Sequence, residues 1–127
     1  MKLTLAPAAA PLSRVKDAER SPVRVALVQT RWHESQEEHL AKLNEGIELA
    51  ASAGASIVFL PELTLSRYPA DAKPTTVPNY SAESLEDGAT RTFAAKAAAE
   101  HGVIVHASLY EYKSTADGRA LNSAIMV

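Results

Sequence analysis

The sequence predicts a layered α/β fold with a mixed β-sheet, and three features carry that prediction. Short apolar, β-branched segments alternate with segments of helical periodicity, which is the pattern of right-handed β-α-β crossovers. One strand-like segment, "IVFL", is apolar on consecutive residues, as is typical of a strand that is covered on both faces. The last two strand-like segments flank an Asp-Gly turn signal, so an antiparallel hairpin should complete the sheet.

The first half of the chain is predicted to form a β-α-β unit. "VRVALVQ", residues 23–29, is the first strand, and residues 57–60 are the second. Between them, Ser35 and Glu38 match a capping box at the start of a helix. Gly54 stands where a helix commonly ends on glycine. Apolar residues recur at helical spacing between these signals, at Leu40, Leu43, Ile47 and Ala50.

The second half is predicted to continue as loop, helix and hairpin. Residues 61–87 contain four prolines and should form a long irregular loop, a kind of segment that is often functional. A helix should follow over residues 89–100 and end at His101-Gly102, and strands should follow at 103–110 and 121–127. Four residues of that helix should face inward: Phe93, Ala94, Ala97 and Ala98.

Composition excludes several functional classes. The chain has 127 residues, 46% of them hydrophobic, which is enough for the core of one domain. Its 13 basic and 15 acidic residues are interspersed and only 6% of residues are aromatic, so we expect no nucleic-acid partner and no polybasic membrane patch. No apolar run approaches the roughly 20 residues that span a bilayer, and we expect a cytoplasmic protein. We expect no metal and no cofactor.

The sequence contains no cysteine, which excludes a disulfide scaffold, a thiolate metal site and a cysteine nucleophile within these residues. The histidines are not spaced as metal ligands, and His106, on an apolar strand, is expected to be a hydrogen-bonded core residue.

Residues 1–21 differ from the rest of the chain. They are rich in alanine and proline and show no periodicity, which predicts a flexible tail. The alternative is a targeting segment, although Pro7 and Pro11 interrupt its short apolar run. Residues 22–127 then form the domain. We expect them to be the N-terminal portion of a larger domain, because a strand runs to the last residue and two helices would leave one sheet face bare.

Glu62 is the most informative polar residue of the sequence. It is the second residue after the predicted strand "IVFL", and ligands of open α/β sheets bind beyond the carboxyl ends of the strands. Leu63 and Leu65 predict an apolar, poorly solvated setting, which would suit general-base chemistry near neutral pH. The alternative is an ordinary surface-loop or helix-capping glutamate.

Four segments in order, "VRVALVQT", "GASIVFLPEL", "HGVIVHASLYE" and "LNSAIMV", resemble the nitrilase superfamily of carbon–nitrogen hydrolases over residues 22–127. The resemblance implies an α-β-β-α sandwich. It also implies catalysis by a glutamate, a lysine and a cysteine, with Glu62 of "LPEL" as the general base that takes the thiol proton. The sequence departs from the family in two respects. It lacks the cysteine, and Lys113 precedes the last strand instead of following it, so we interpret Lys113 as a solvated hairpin residue.

The resemblance also suggests substrate contacts. Arg67 and Tyr68 lie on the loop that shapes the family's pocket, and Arg67 could pair with a substrate carboxylate or be an exposed loop residue. Tyr68 could line the pocket or pack the loop. Glu111 ends "SLYE", an element similar to one in N-carbamoyl amine amidohydrolases such as N-carbamoylputrescine amidase; the alternative is a solvated hairpin glutamate. Asn122 matches a family asparagine, and a structural role is expected for it.

The leading hypothesis is therefore the N-terminal portion of an amidohydrolase that acts on a linear amide or an N-carbamoyl amine. A nitrilase acting on a nitrile is the alternative within the superfamily, and a non-catalytic α/β fragment that binds or assembles is the alternative outside it. The resemblance further implies a homo-oligomer in the complete protein.

Overall fold

A computed structural model describes residues 1–7, 12, 19–67, 82–112 and 121–127. Four strands form one sheet in the order β1 (Val25–Leu27), β2 (Ile57–Phe59), β3 (Ile104–Glu111) and β4 (Leu121–Met126). The first three strands are parallel, and β4 is antiparallel to β3. The predicted α/β class and mixed sheet are confirmed. The predicted turn at Asp117-Gly118 and Lys113 lie outside the described residues.

Helix α1 (Gln36–Ser52) connects β1 and β2, and its ends agree with the sequence signals. The Ser35 hydroxyl accepts a hydrogen bond from the backbone N–H of Glu38 at 3.2 Å, which is one half of the predicted capping box. Gly54 follows the C-cap with a φ of 81°, a conformation that glycine adopts without the steric cost that a Cβ would bring. The inner face of α1 buries Leu43, Ile47 and Ala50, as the periodicity predicted.

Helix α2 (Ala89–His101) precedes β3 and ends, as predicted, at a left-handed Gly102. Its small residues Ala94 and Ala97 are fully buried, which lets the helix lie close to the sheet, while Phe93 and Ala98 pack at the margin of the core. No described helix is both long and apolar enough to cross a bilayer.

Both helices cover the same face of the sheet. The pleat sends alternate side chains to opposite faces, and the helix-facing set joins α1 and α2 in one core that includes Val58, Val105 and Ala107. The other face is open in the described residues. Four apolar side chains there are between 44% and 80% exposed: Val25, Leu27, Ile104 and Met126.

His106 also lies on the open face and contacts Phe59, with ring centroids 4.9 Å apart. Its Nδ1 is buried without a hydrogen-bond partner among the described residues. The expectation of a hydrogen-bonded core histidine is therefore wrong for this nitrogen: the His106 ring packs on Phe59, and no described polar group reaches Nδ1.

The first residues of the chain contact α1. The amino group of Met1 forms an ion pair with the Glu45 carboxylate, which also accepts a hydrogen bond from Lys42 at 2.8 Å. The hydrogen bond from Lys42 and then the one from the amino terminus lower the pKa of Glu45 to about 2. The Met1 sulfur approaches Gly46, where a Cβ would lie only 3.1 Å from it.

Candidate functional site

Glu62 lies in a turn that follows the carboxyl end of β2, as the strand assignment predicted. The side chain is exposed, whereas its neighbours Leu63 and Thr64 are buried, at 4% and 1% exposure. The expected apolar setting is therefore wrong. The adjacent leucine turns inward and packs, and the turn leaves the carboxylate on the surface of the described chain.

The backbone of this turn is tied to β3. Thr64 N–H donates to the carbonyl of Ser108 at 2.8 Å, and Ser108 N–H donates to the Thr64 hydroxyl at 3.0 Å. The same hydroxyl donates to the carbonyl of Pro61 at 2.9 Å and thereby closes the turn on itself. Thr64 and Ser108 are both buried, so these bonds are shielded from competing water and fix the turn relative to the sheet.

Leu63 has a φ of 50°, the one positive φ outside glycine in the described chain. A left-handed conformation costs an ordinary L-residue about 1–2 kcal/mol, and such strain persists only where surrounding contacts enforce it. Here the enforcing contact is the Ser108 hydroxyl, which accepts a hydrogen bond from Leu63 N–H at 3.1 Å. Burial of the Leu63 side chain also favours this left-handed conformation.

The Glu62 carboxylate is held by Asn122 of β4. The Asn122 amide Nδ2 donates to Glu62 Oε1 at 2.6 Å, and the Ser108 hydroxyl donates to Asn122 Oδ1 at 3.2 Å. Among the described residues, no group donates a hydrogen bond to the other carboxylate oxygen, Oε2. Neither contact is predicted by a local sequence pattern, because each joins segments that are distant in the chain. Asn122 was singled out in the sequence by its match to a family asparagine, with a structural role expected, and nothing in the sequence singled out Ser108.

A histidine from α1 supports the turn from the helix side. His39 Nε2 lies 2.9 Å from the carbonyl of Thr64, and a carbonyl only accepts, so Nε2 carries the proton. His39 Nδ1 lies 3.5 Å from Nδ1 of His33, and the Trp32 ring packs on His39 with centroids 4.4 Å apart. These contacts hold the turn against α1.

Arg67 ends the described part of the loop and is half-buried. Its guanidinium lies 3.5 Å from a carboxylate oxygen of Glu34, whose side chain is 83% exposed. Such a pair is weak, so the guanidinium could exchange Glu34 for another carboxylate. Tyr68 lies outside the described residues.

Glu111 is not brought together with Glu62. Glu111 is three residues beyond Ser108 on β3, so the pleat directs the side chains of Ser108 and Glu111 to opposite faces of the sheet. Its carboxylate accepts a hydrogen bond from the Ser123 hydroxyl at 2.5 Å. No three or more His, Cys, Asp or Glu side chains converge on a metal-sized site within the described ranges.

The chain matches one family model and several solved structures. The family model described as "Carbon-nitrogen hydrolase" matches residues 24–127. The search of curated proteins found no match. Among solved structures, 24 chains match. One of them is a glutamine-dependent NAD+ synthetase from Acinetobacter baumannii in complex with adenosine diphosphate, with 22% identity and a TM-score of 0.40; the match covers 72% of this chain and 16% of that one.

The family match covers every element of the described fold, from β1 to β4, and includes the turn that carries Glu62. The α/β architecture with a mixed four-stranded sheet is consistent with the nitrilase-type fold. The chain belongs to the carbon–nitrogen hydrolase family.

Proposed function

We propose that this chain supplies the general base, Glu62, of an enzyme that hydrolyses the C–N bond of a linear amide or an N-carbamoyl amine. The observation that carries the proposal is the placement of the "LPEL" glutamate. It follows the carboxyl end of β2, one carboxylate oxygen is held by Asn122, and no described residue donates a hydrogen bond to the other.

In the proposed reaction, Glu62 accepts the proton of a cysteine thiol, and the thiolate attacks the carbonyl carbon of the substrate. The amine takes a proton from Glu62 and leaves, and an acyl-thioester remains. Glu62 then removes a proton from water, which attacks the thioester and releases the acid and the thiol. A lysine would stabilise the tetrahedral oxyanion. Because these 127 residues contain no cysteine, the proposal requires the nucleophile to come from outside them. It places the lysine outside them as well, since Lys113 precedes β4 instead of following it.

Arg67 is the proposed substrate contact that the geometry supports best, because it lies in the same loop as Glu62 and its own ion pair with Glu34 is weak. Tyr68 and Glu111 stay predictions. For Glu111, a direct contact with the same substrate would have to reach around the sheet edge. A cytoplasmic homo-oligomer also stays a prediction.

The decisive experiment is Glu62→Gln in the full-length protein that contains this sequence, assayed on a linear amide, an N-carbamoyl amine and a nitrile. Glutamine keeps the shape of the side chain but accepts no proton at neutral pH. A general base contributes about 10²–10⁴-fold, and this one would serve both half-reactions, so we expect a loss at the top of that range. Since Glu62 is exposed, stability should change by no more than about 0.5 kcal/mol.

The matched control is Glu48→Gln, which makes the same chemical change at an exposed position of α1 and should leave the rate unchanged. Near-normal turnover by Glu62→Gln would refute the proposal, and Glu111→Gln would then identify whether the base lies on the other face. The 127-residue chain by itself should not turn over any of the three substrates. Turnover by a pure sample would exclude the cysteine mechanism.

The alternative is a non-catalytic α/β protein, which the absence of cysteine from these residues favours. It predicts that the full-length protein hydrolyses none of the three substrates, with or without Glu62.

A further inference from the structure

We infer that Asn122 is a positioning residue for Glu62, anchored through the hydroxyl of Ser108. This inference rests on the proposed function and names a role that the family match does not assign. The three side chains come from the turn after β2, from β3 and from β4, and they form a short relay from a buried serine to an exposed carboxylate.

The direction of each hydrogen bond in the relay is determined by chemistry. An ionised carboxylate only accepts, so the amide must present Nδ2 to Glu62 at 2.6 Å. The Oδ1 atom of Asn122 then faces Ser108 and must accept. The Ser108 hydroxyl therefore donates its single proton to Asn122 Oδ1, at an Oγ–Oδ1 distance of 3.2 Å. The hydroxyl oxygen is left as an acceptor, and Leu63 N–H donates to it at 3.1 Å. Each of these three bonds joins a donor to an acceptor, and reversing the Asn122 amide would place its Oδ1 against Glu62 Oε1.

Ser108 also contacts the backbone beside Glu62, because Leu63, whose N–H donates to the Ser108 hydroxyl, is the residue after Glu62. Ser108 therefore holds the glutamate at two places: the backbone through Leu63 N–H, and the carboxylate through Asn122. Ser108 itself is 6% exposed and is fixed by two further bonds to Thr64. A rigid, buried anchor thus orients a side chain that would otherwise rotate freely in solvent.

The consequence for the reaction is that Asn122 occupies Oε1, and within the described part of the chain Oε2 is the oxygen left for proton transfer. An exposed glutamate without such a partner samples several rotamers, and most of them point the carboxylate away from a fixed thiol. Misplacement of a reacting group by about 1 Å can cost on the order of 10²-fold. We therefore expect loss of the Asn122 donor to lower kcat by about 10–100-fold and to change KM by less than about 3-fold, because Asn122 does not contact the substrate.

The test is Asn122→Asp in the full-length protein, with Asn122→Ala beside it. Aspartate has the size and shape of asparagine but cannot donate at neutral pH, and it faces another carboxylate. A role in spacing or packing would tolerate aspartate better than alanine, whereas a donor role predicts that aspartate loses at least as much kcat as alanine. Asn44→Asp is the control for the added charge, since Asn44 lies in the helix layer and its Oδ1 already accepts from His101.

A second measurement separates positioning from general damage to the fold. In the Glu62→Gln background, adding Asn122→Asp should change the residual rate by less than about 2-fold, because the carboxylate that Asn122 orients is gone. Equal fold-losses in both backgrounds would overturn the inference, since they would mean a structural effect that does not act through Glu62.

The outcomes distinguish this inference from the function on which it rests. Normal activity of Glu62→Gln refutes the proposed function and the inference together. Loss of activity in Glu62→Gln with normal kcat in both Asn122 variants overturns the inference alone. Because Asn122 is exposed on β4, its variants should fold, and thermal melting on the same samples checks this. If Asn122→Asp melts early, Asn122→Ala decides the question.

Discussion

The amino terminus of α2 is stabilised by a glutamate five residues before the N-cap, and removing that glutamate should destabilise the protein measurably. The N-cap is Gly88, which has no side chain to accept from the first helical N–H groups. A Cβ at this position would lie 2.4 Å from the carbonyl oxygen of Ser84, so the close backbone turn excludes the usual capping residues.

Glu83 replaces the missing cap. Its Oε2 accepts from the backbone N–H of Thr90 and its Oε1 accepts from the Thr90 hydroxyl, both at 2.7 Å. The backbone of Glu83 is itself held beside β3, because its N–H donates to Tyr110 and its carbonyl accepts from Tyr112. The carboxylate also lies at the positive end of the helix dipole. Sheet and helix are thus joined at one residue.

The magnitude follows from these contacts. Hydrogen bonds to a charged group contribute about 1.5–3 kcal/mol each, and two bonds that share one carboxylate are not fully additive. Thr90 is fully buried, so water cannot replace the lost acceptor. We expect Glu83→Ala to lower the free energy of unfolding by about 3 kcal/mol. Thr90→Val removes the hydroxyl bond alone and should cost about 1 kcal/mol.

The assay is urea denaturation of the full-length protein, followed by far-ultraviolet circular dichroism, with the slope compared between variants. Glu86→Ala is the matched control. It removes an exposed carboxylate from the same loop, and only the backbone of Glu86 makes hydrogen bonds in the described residues, so its effect should stay within about 0.5 kcal/mol. If Glu83→Ala and Glu86→Ala lower the free energy of unfolding equally, the carboxylate of Glu83 does not cap α2.

Two further predictions concern the amino-terminal region. The lowered pKa of Glu45, about 2, means that folding favours its ionised form; the resulting stabilisation is present above pH ~4.5 and is lost as pH falls through about 2. A carboxyl NMR titration should show this midpoint, and Lys42→Ala should move it upward; an unmoved midpoint would contradict the assignment to Lys42. Deleting residues 1–21 should change stability by less than about 1 kcal/mol in urea denaturation, because the segment is aperiodic and interrupted by proline, and the exposed ion pair of Met1 with Glu45 contributes little. A clearly larger loss would show that the contacts of Met1 with Glu45 and Gly46 contribute substantially to stability.

Elements and helix ends could be predicted because their signals are local. Ser35 caps α1 through a bond that spans three residues, and the left-handed Gly102 ends α2 where a glycine follows the apolar pattern. The regular β1 strand is shorter than expected, but Val28 N–H still bonds to Phe59, so the predicted segment does lie along the sheet. These features depend on periodicity and on backbone geometry, which the sequence carries directly.

The details of the site could not be predicted, because they depend on contacts between distant segments. The exposure of Glu62 follows from the inward turn at Leu63, and that turn exists because Ser108 of another strand accepts from it. The capping of α2 by Glu83 likewise follows from pairing with β3. Apolar neighbours in sequence predicted burial for Glu62, but a left-handed residue beside it separates the directions of the two side chains.

The relay from Ser108 to Glu62 also has a consequence for the order of folding. The bond between Asn122 and Glu62 joins residues 60 positions apart, and the bond between Leu63 and Ser108 spans 45. The pairing of Val25 with Ile57 in β1 and β2 spans 32 positions, fewer than either bond, so we expect the β1–β2 pairing to form first. The β1-α1-β2 unit can therefore be complete while Glu62 is still without orientation. Glu62 is oriented only when the β3–β4 hairpin packs beside β2. A chain with native secondary structure but an undocked hairpin would therefore contain Glu62 without the hydrogen bond that orients its carboxylate.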